Sequence, residues 1–270
     1  MPLTLDKLNF KVAGGAILHD INAELSSGEI TAIVGSNGSG KSSLLNLMIG
    51  SSRPTTGDVF LQNKSLYSWS KKALAKKMAI LPQSLSRPLG MRIYDLVSCG
   101  RFPHTGTWKR FSTADHQAVL WALEKADLLD KQEERVDYLS GGEMQRVWLA
   151  MVLAQQTDIL LLDEPTSYLD VNHQLQLLNI VRELNRSFNI TVVWVLHDLN
   201  HALQYSDDIW VMHEGRLVHQ GSASSIVDAT LLNHYFGIDV EFVHSEHSPV
   251  PTIVAMPQGS LLKVVHEKIG

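Results

Sequence analysis

The apolar positions of this chain follow two different rhythms. Five short and nearly continuous runs, 30–34 (ITAIV), 78–81 (MAIL), 159–162 (ILLL), 191–196 (TVVWVL) and 209–212 (IWVM), predict strands covered on both faces. Between several of them the spacing turns helical. Over 172–188, Leu177, Ile180, Val181, Leu184 and Phe188 form an apolar stripe against Arg182, Glu183 and Arg186. This alternation predicts an α/β fold with a mainly parallel sheet. Residues 3–25 and 57–62 read instead as strands broken by glycines, which suits an antiparallel flank. From 87 to 156 the strand-like runs stop and helical patterns such as WALEKADLLD take over. The expected organisation is a core of 1–86 and 157–240 with a helical insert at 87–156. Residues 241–270, with proline breaks and apolar pairs, predict a small appended strand region.

Two stretches look built to hold anions. The first, GSNGSGKS at 35–42, follows a buried-strand pattern and precedes the helical SSLLNLMIG, the context that a phosphate loop needs. Its glycines let backbone N–H groups converge on phosphates, Lys41 brings a mobile positive charge, and the Ser42 hydroxyl is a candidate Mg²⁺ ligand. Gly35, Ser36, Asn37, Gly38, Ser39, Gly40, Lys41, Ser42 and Ser43 form the candidate nucleotide-binding run. Asp163 and Glu164 close the 159–162 strand, where α/β sheets place ligands: Asp163 is expected to hold Mg²⁺ and Glu164 to polarise a water. Gln83 after MAILP and His197 after TVVWVL reach the same edge. Either alone is an ordinary polar residue; as part of the set, Gln83 is expected to sense Mg²⁺ and the attacking water, and His197 the γ-phosphate.

The second stretch is YLSGGEMQRVWLA at 138–150. Ser140 and Glu143 have the spacing of a capping box, and Gly141 and Gly142 clear side chains from a helix start. One nucleotide has a single γ-phosphate, already cupped by the first loop. The second helix start is therefore expected to serve a neighbour: two copies meeting head to tail would sandwich two ATP, Ser140, Gly141 and Gly142 of one facing Lys41 of the other.

Composition narrows the partners. With 270 residues, 44% of them hydrophobic, the chain can bury a full core, and its net charge of −5 lacks the basic excess that nucleic acid would demand. A single cysteine, Cys99, excludes an internal disulfide and suits a reducing compartment. The first residues show no export leader, and no apolar run reaches membrane-spanning length. The block KKALAKK at 71–77 reads as a solvated helix face rather than a lipid contact. His244 and His247 lack a carboxylate or thiol at ligand spacing and are not expected to bind metal.

Together, GSNGSGKS, LSGGE at 139–143, the strand ending in Asp163 and Glu164, SYLD at 167–170, Gln83 and His197 resemble the ATP-binding cassette ATPases, over residues 1 to about 240. The resemblance implies a phosphate-loop NTPase core, ATP and Mg²⁺ as ligands, Ser42, Gln83 and Asp163 around the metal, and Glu164 as catalytic base with His197. It also implies that Asp170 contacts the partner's phosphate loop and that the segment around 83–89 meets a transmembrane subunit. One position departs: where the family carries an adenine-stacking aromatic, this chain has Val12, with Phe10 two residues earlier. The segments DLVSCGRFPHTGTWKRFSTAD, LDVNHQLQLL and NHYFGIDVEFV resemble the ATPase subunits of bacterial iron-chelate importers, whose substrates are ferric siderophores, haem or vitamin B12. That implies a homodimer on the cytoplasmic face of the inner membrane. Its partners would be two transmembrane permease subunits, with a periplasmic or surface binding protein feeding them. A soluble assembly factor, for example for iron–sulfur clusters, is the rival reading.

Overall fold

The computed structural model describes residues 3–83, 86–105, 110–245 and 249–256. Strands β1 (Leu3–Val12) and β2 (Gly15–Leu25) pair antiparallel. After β3 (Ile30–Gly35) and α1 (Lys41–Met48), β4 (Thr56–Leu61) and β5 (Lys64–Ser65) join them in a four-stranded sheet of order β2-β1-β4-β5, the expected flank. A single turn of helix, α2 (Lys71–Leu74), with Lys71 and Lys72 in solvent, leads to β6 (Met78–Leu81). Helices α3 (Ile93–Ser98), α4 (Phe102–Thr105), α5 (Thr113–Lys125) and α6 (Gly141–Ala154) then occupy the insert. The chain returns through β7 (Ile159–Asp163), α7 (Val171–Phe188), β8 (Thr191–Val195), α8 (Leu199–Tyr205) and β9 (Asp208–His213). It continues with β10 (Arg216–Ser222), α9 (Ala229–Phe236), β11 (Asp239–Val243) and β12 (Thr252–Met256).

The central sheet has six strands in the order β10-β9-β3-β8-β7-β6, and all neighbours are parallel except β9 and β10. Every residue of β7 and β8 is buried because alternate side chains enter opposite cores. Leu160, Leu162, Val192 and Trp194 pack with the helical insert, whereas Ile159, Leu161, Val193 and Val195 pack with the antiparallel flank. The continuous apolar runs of the sequence are thus strands between two layers. Trp194 and Trp210 are fully buried, and their indole N–H groups donate to Ser206 Oγ at 2.9 Å and Asp208 Oδ2 at 2.6 Å, so neither leaves a polar atom stranded.

The structure departs from the sequence pattern in three places. Phe188, expected on the buried stripe of α7, is 47% exposed and instead packs edge-on against Trp121 of α5, with Lys125 over its face. The edge strand β10 carries no apolar run, so the hydrophobic pattern does not mark it. The terminal hairpin β11–β12 opens at Asp239, so its first strand straddles position 241.

The insert holds a buried ion pair. Arg101 Nε donates to Asp115 Oδ1 at 2.9 Å and its Nη1 to the Ala154 carbonyl at 2.8 Å, tying the start of α4 to α5 and the end of α6. Asp115 also closes the capping box of α5 with Ser112. The Ser112 hydroxyl, helped by its backbone N–H and by Arg101, overcomes burial and holds this carboxyl down at about 2. Because the folded value lies below the unfolded one, this contribution to stability is complete above the ordinary carboxylate range and is lost as pH falls from about 4 to about 2. Asp115→Asn will strand the Arg101 charge and lower stability by about 3–5 kcal/mol, read from the urea midpoint at neutral pH. A midpoint that does not move would show that the pair contributes nothing.

Candidate active site

Parallel pairing makes β3, β6, β7 and β8 end on one edge of the sheet, and the chemistry-bearing residues gather there. At the end of β3 the chain turns through 35–40 into α1. Gly40, the N-cap, has φ +100, and a Cβ there would stand 2.7 Å from Leu18 Cδ2, so only glycine suits the position. No side chain caps α1, which leaves its first N–H groups, those of Lys41, Ser42 and Ser43, directed at whatever lies above the loop. Lys41 is only 5% exposed, with Nζ 2.9 Å from the carbonyls of both Gly35 and Ser36. Burial pushes its ammonium below the usual lysine value, partly offset by Glu164 and Asp163. Ser39 shapes the loop from inside: its N–H donates to Ser36 O, and its buried hydroxyl faces the protein.

Beside Lys41, Ser42 Oγ donates to Asp163 Oδ1 at 3.1 Å. Burial pushes Asp163 above the ordinary carboxylate range, against the Ser42 bond that lowers it. A hydroxyl and a partly desolvated carboxylate at this spacing are hard oxygen donors that a Mg²⁺ ion fits, and a cation there would relieve the cost of burying the charge.

Glu164 organises the rest. Gln83 Nε2 donates to its Oε2 at 2.6 Å, Ser167 Oγ to the same oxygen at 3.0 Å, and His197 Nε2 lies 2.7 Å from its Oε1. The backbone at Glu164 is left-handed with φ +51, an uncommon state for a side-chain-bearing residue, and Tyr168 on the same loop has φ +65. A carboxylate has about four acceptor positions, of which three are occupied here, leaving one to accept from a water. The tertiary fold therefore gathers Gln83 and His197 on Glu164, next to Asp163, which bonds Ser42 at the end of the phosphate loop. The Ser167 contact was missed; its spacing of three residues across the Pro165 turn is the only local sign of it.

The capping box expected at the start of α6 is formed. Ser140 caps α6, accepting from the Glu143 N–H at 3.2 Å, while the Ser140 N–H donates to Glu143 Oε2 at 2.9 Å. A bond from Lys131, then those from Ser140, hold Glu143 down at about 2, so it stays charged at the helix start. Gly141 is exposed, with open space where a Cβ would be, and it lines a cleft of about 260 Å³ with Gln83, Glu164 and Tyr168. Arg87 Nη1 bonds the Leu139 carbonyl at 3.0 Å and steadies this approach. Among the described residues, no hydrogen bond joins 140–142 to the phosphate loop of the same chain. Asp170 caps α7 and is bonded to His173. The antiparallel tip leaves Val12 48% exposed opposite Gly15, while Phe10 packs partly into the flank core.

Residues 18–167 match the family model described as ABC transporter, and this span takes in the phosphate loop, the LSGGE helix start and the Asp163–Glu164 pair. The chain belongs to the ABC transporter family. It is 39% identical over 249 residues to the iron(3+)-hydroxamate import ATP-binding protein of Bacillus subtilis, covering 92% of this chain and 93% of that one. Its fold superposes on a chain of an inward-facing metal-chelate type ABC transporter with TM-score 0.83, at 26% identity and with 95% and 98% of the two chains covered. A dimeric post-hydrolysis ATP-binding cassette holding ADP and Pi gives TM-score 0.71 at 26% identity, covering 82% of this chain and 98% of that one. An ABC cassette binds and hydrolyses ATP, which is the substrate that the phosphate loop and the Glu164 cluster suit. Among the described residues no helix is long and apolar enough to cross a membrane, and none of their His, Cys, Asp and Glu form a metal-binding group of three. His247 lies outside the described residues.

Proposed function

We propose that this chain hydrolyses ATP at a site shared by two copies and thereby drives import of a ferric siderophore or related metal chelate through two transmembrane permease subunits, themselves fed by a substrate-binding protein. The observation that carries the catalytic part is Glu164, held from three sides by Gln83, Ser167 and His197 next to the Ser42–Asp163 pair. Residues 35–43 bind the triphosphate, with Lys41 exchanging its carbonyl partners for phosphate oxygens. Glu164 accepts a proton from the in-line water, and His197 keeps Glu164 oriented while facing the γ-phosphate. Ser42, Asp163 and Gln83 would hold a Mg²⁺ ion, which would supply charge neutralisation for the transferring phosphoryl group.

The shared site is supported by the free, capped tip of α6 and by exposed apolar residues beside both partner-facing elements. Tyr138 is 82% exposed next to Ser140, and Tyr168 and Val171 are 94% and 69% exposed around Asp170. The dimeric cassette that this fold matches supports the same arrangement. The helical insert at 87–156 is then the lobe that presents Ser140 and receives the permease, against the core of 1–86 and 157–240. The protein works at the cytoplasmic face of the inner membrane. The hydroxamate-import relative supports an iron-chelate cargo. Co-purification with a polytopic membrane protein, and uptake of a labelled ferric hydroxamate that disappears with Glu164→Gln, test this reading. Purification with a soluble scaffold and no membrane protein would favour the assembly-factor alternative and overturn it.

Val12 leaves the base without an aromatic platform. Val12→Tyr, at an exposed position that accepts the ring without repacking, will tighten ATP binding by roughly 1–3 kcal/mol, the value of one base–aromatic stack. An unchanged dissociation constant would place the base elsewhere.

A further inference from the structure

His173, near the start of α7, takes part in none of the steps above, yet it touches both surfaces that the shared site needs. Its backbone N–H donates to Asp170 Oδ1 at 2.9 Å, and its ring Nδ1 lies 2.9 Å from each carboxylate oxygen of Asp170. The ring also fills the space beside Gly142. A Cβ on Gly142 would stand 2.6 Å from His173 Cδ2, 2.8 Å from Cγ and 3.1 Å from Nε2. Gly141 and Gly142 are therefore glycines for different reasons. Gly141 is exposed with open space above it, whereas Gly142 is buried and has surrendered its side-chain volume to an imidazole of its own chain.

One ring thus joins the first turn of α6 to the N-cap of α7, elements separated by the whole of β7. The near end of the intervening loop has its own pin, since Gln145 Nε2 of α6 donates to the Pro165 carbonyl at 3.0 Å. At the far end, Tyr168 and Val171 stand out in solvent. Leu169 packs into the core that α6 shares, and at Asp170 itself the imidazole adds the contact that reaches α6 at Gly142.

Resting on the shared-site reading, we propose that His173 is a positioning residue that locks the Ser140–Gly142 tip and the Asp170 loop into one rigid surface. The two elements that a chain offers to its partner's nucleotide then arrive together. Without the tie each would have to be ordered separately on dimer closure, and that ordering is an entropic cost that falls on assembly, not on nucleotide capture by a single chain.

The test uses full-length protein carrying Glu164→Gln, titrated with Mg-ATP and followed by size-exclusion chromatography with light scattering. If this parent forms no ATP-held dimer, it is the shared-site reading that fails. Given that dimer, adding His173→Ala is expected to raise the ATP concentration for half-maximal dimerisation about tenfold, with single-chain ATP affinity and melting temperature unchanged. His173→Asn keeps an N–H donor for Asp170 but lacks the ring; His173→Phe keeps a ring but lacks the donor. Because the tie needs both contacts, each is expected to behave like His173→Ala. In the hydrolysing protein the same three changes should lower kcat while leaving single-chain nucleotide affinity intact. Dimerisation at the parent's ATP concentration by any of the three would overturn the proposal. So would a matching loss of single-chain ATP binding, which would mark His173 as a general folding residue.

Discussion

Glu164→Gln will reduce ATP turnover by about 10²- to 10⁴-fold, the usual contribution of a positioned general base, while Mg-ATP binding persists. The substitution keeps the size of the side chain, and an amide oxygen can still accept from Gln83 and Ser167, which meet Glu164 Oε2 at 2.6 and 3.0 Å. What disappears is the charge that takes the proton from water. On the proposed cycle, in which hydrolysis reopens the closed pair, the variant should accumulate as an ATP-held dimer. Steady-state phosphate release and gel filtration with ATP check both halves. Retained hydrolysis would remove Glu164 from the base role and direct attention to His197, 2.7 Å away.

Ser140→Arg will abolish hydrolysis and dimerisation yet leave ATP binding by the single chain at the parent's affinity. The reasoning is geometric. Ser140 is the cap of α6, its hydroxyl taken up by the Glu143 N–H, and it makes no hydrogen bond to the phosphate loop of its own chain. An arginine there breaks the capping box, at a cost of about 0.5–2 kcal/mol of local stability, and sets a bulky side chain on the surface that must close over a neighbour's phosphate. Titration of a fluorescent ATP analogue separates the outcomes. A loss of binding by the single chain would mean that α6 serves its own nucleotide.

Much of this site was legible because its parts are local. The phosphate loop is eight consecutive residues between a buried run and a helix, and the capping box needs only Ser140 and Glu143. That Gln83 and His197 share Glu164 was expected only as membership of one sheet edge. Their actual contact follows from strand order, with β6 and β8 on either side of β7, and order is decided by packing across the whole sheet. Nor does local pattern reveal Arg101 against Asp115: they lie fourteen residues apart and become buried only when α4, α5 and the end of α6 converge. Phe188 fits the helical stripe of α7 but lies where the insert's Trp121 and Lys125 can cover it, so it stays half-exposed. His173 shows the same limit, since the glycine that it packs beside is thirty-one positions earlier in the chain.

The most direct measurement is a structure of the Glu164→Gln protein with Mg-ATP. Each triphosphate should lie on Lys41 of one chain and under Ser140, Gly141 and Gly142 of the other, with Asp170 against the partner's phosphate loop. A complex in which the α6 tip faces solvent, or closes on the nucleotide of its own chain, would contradict the account.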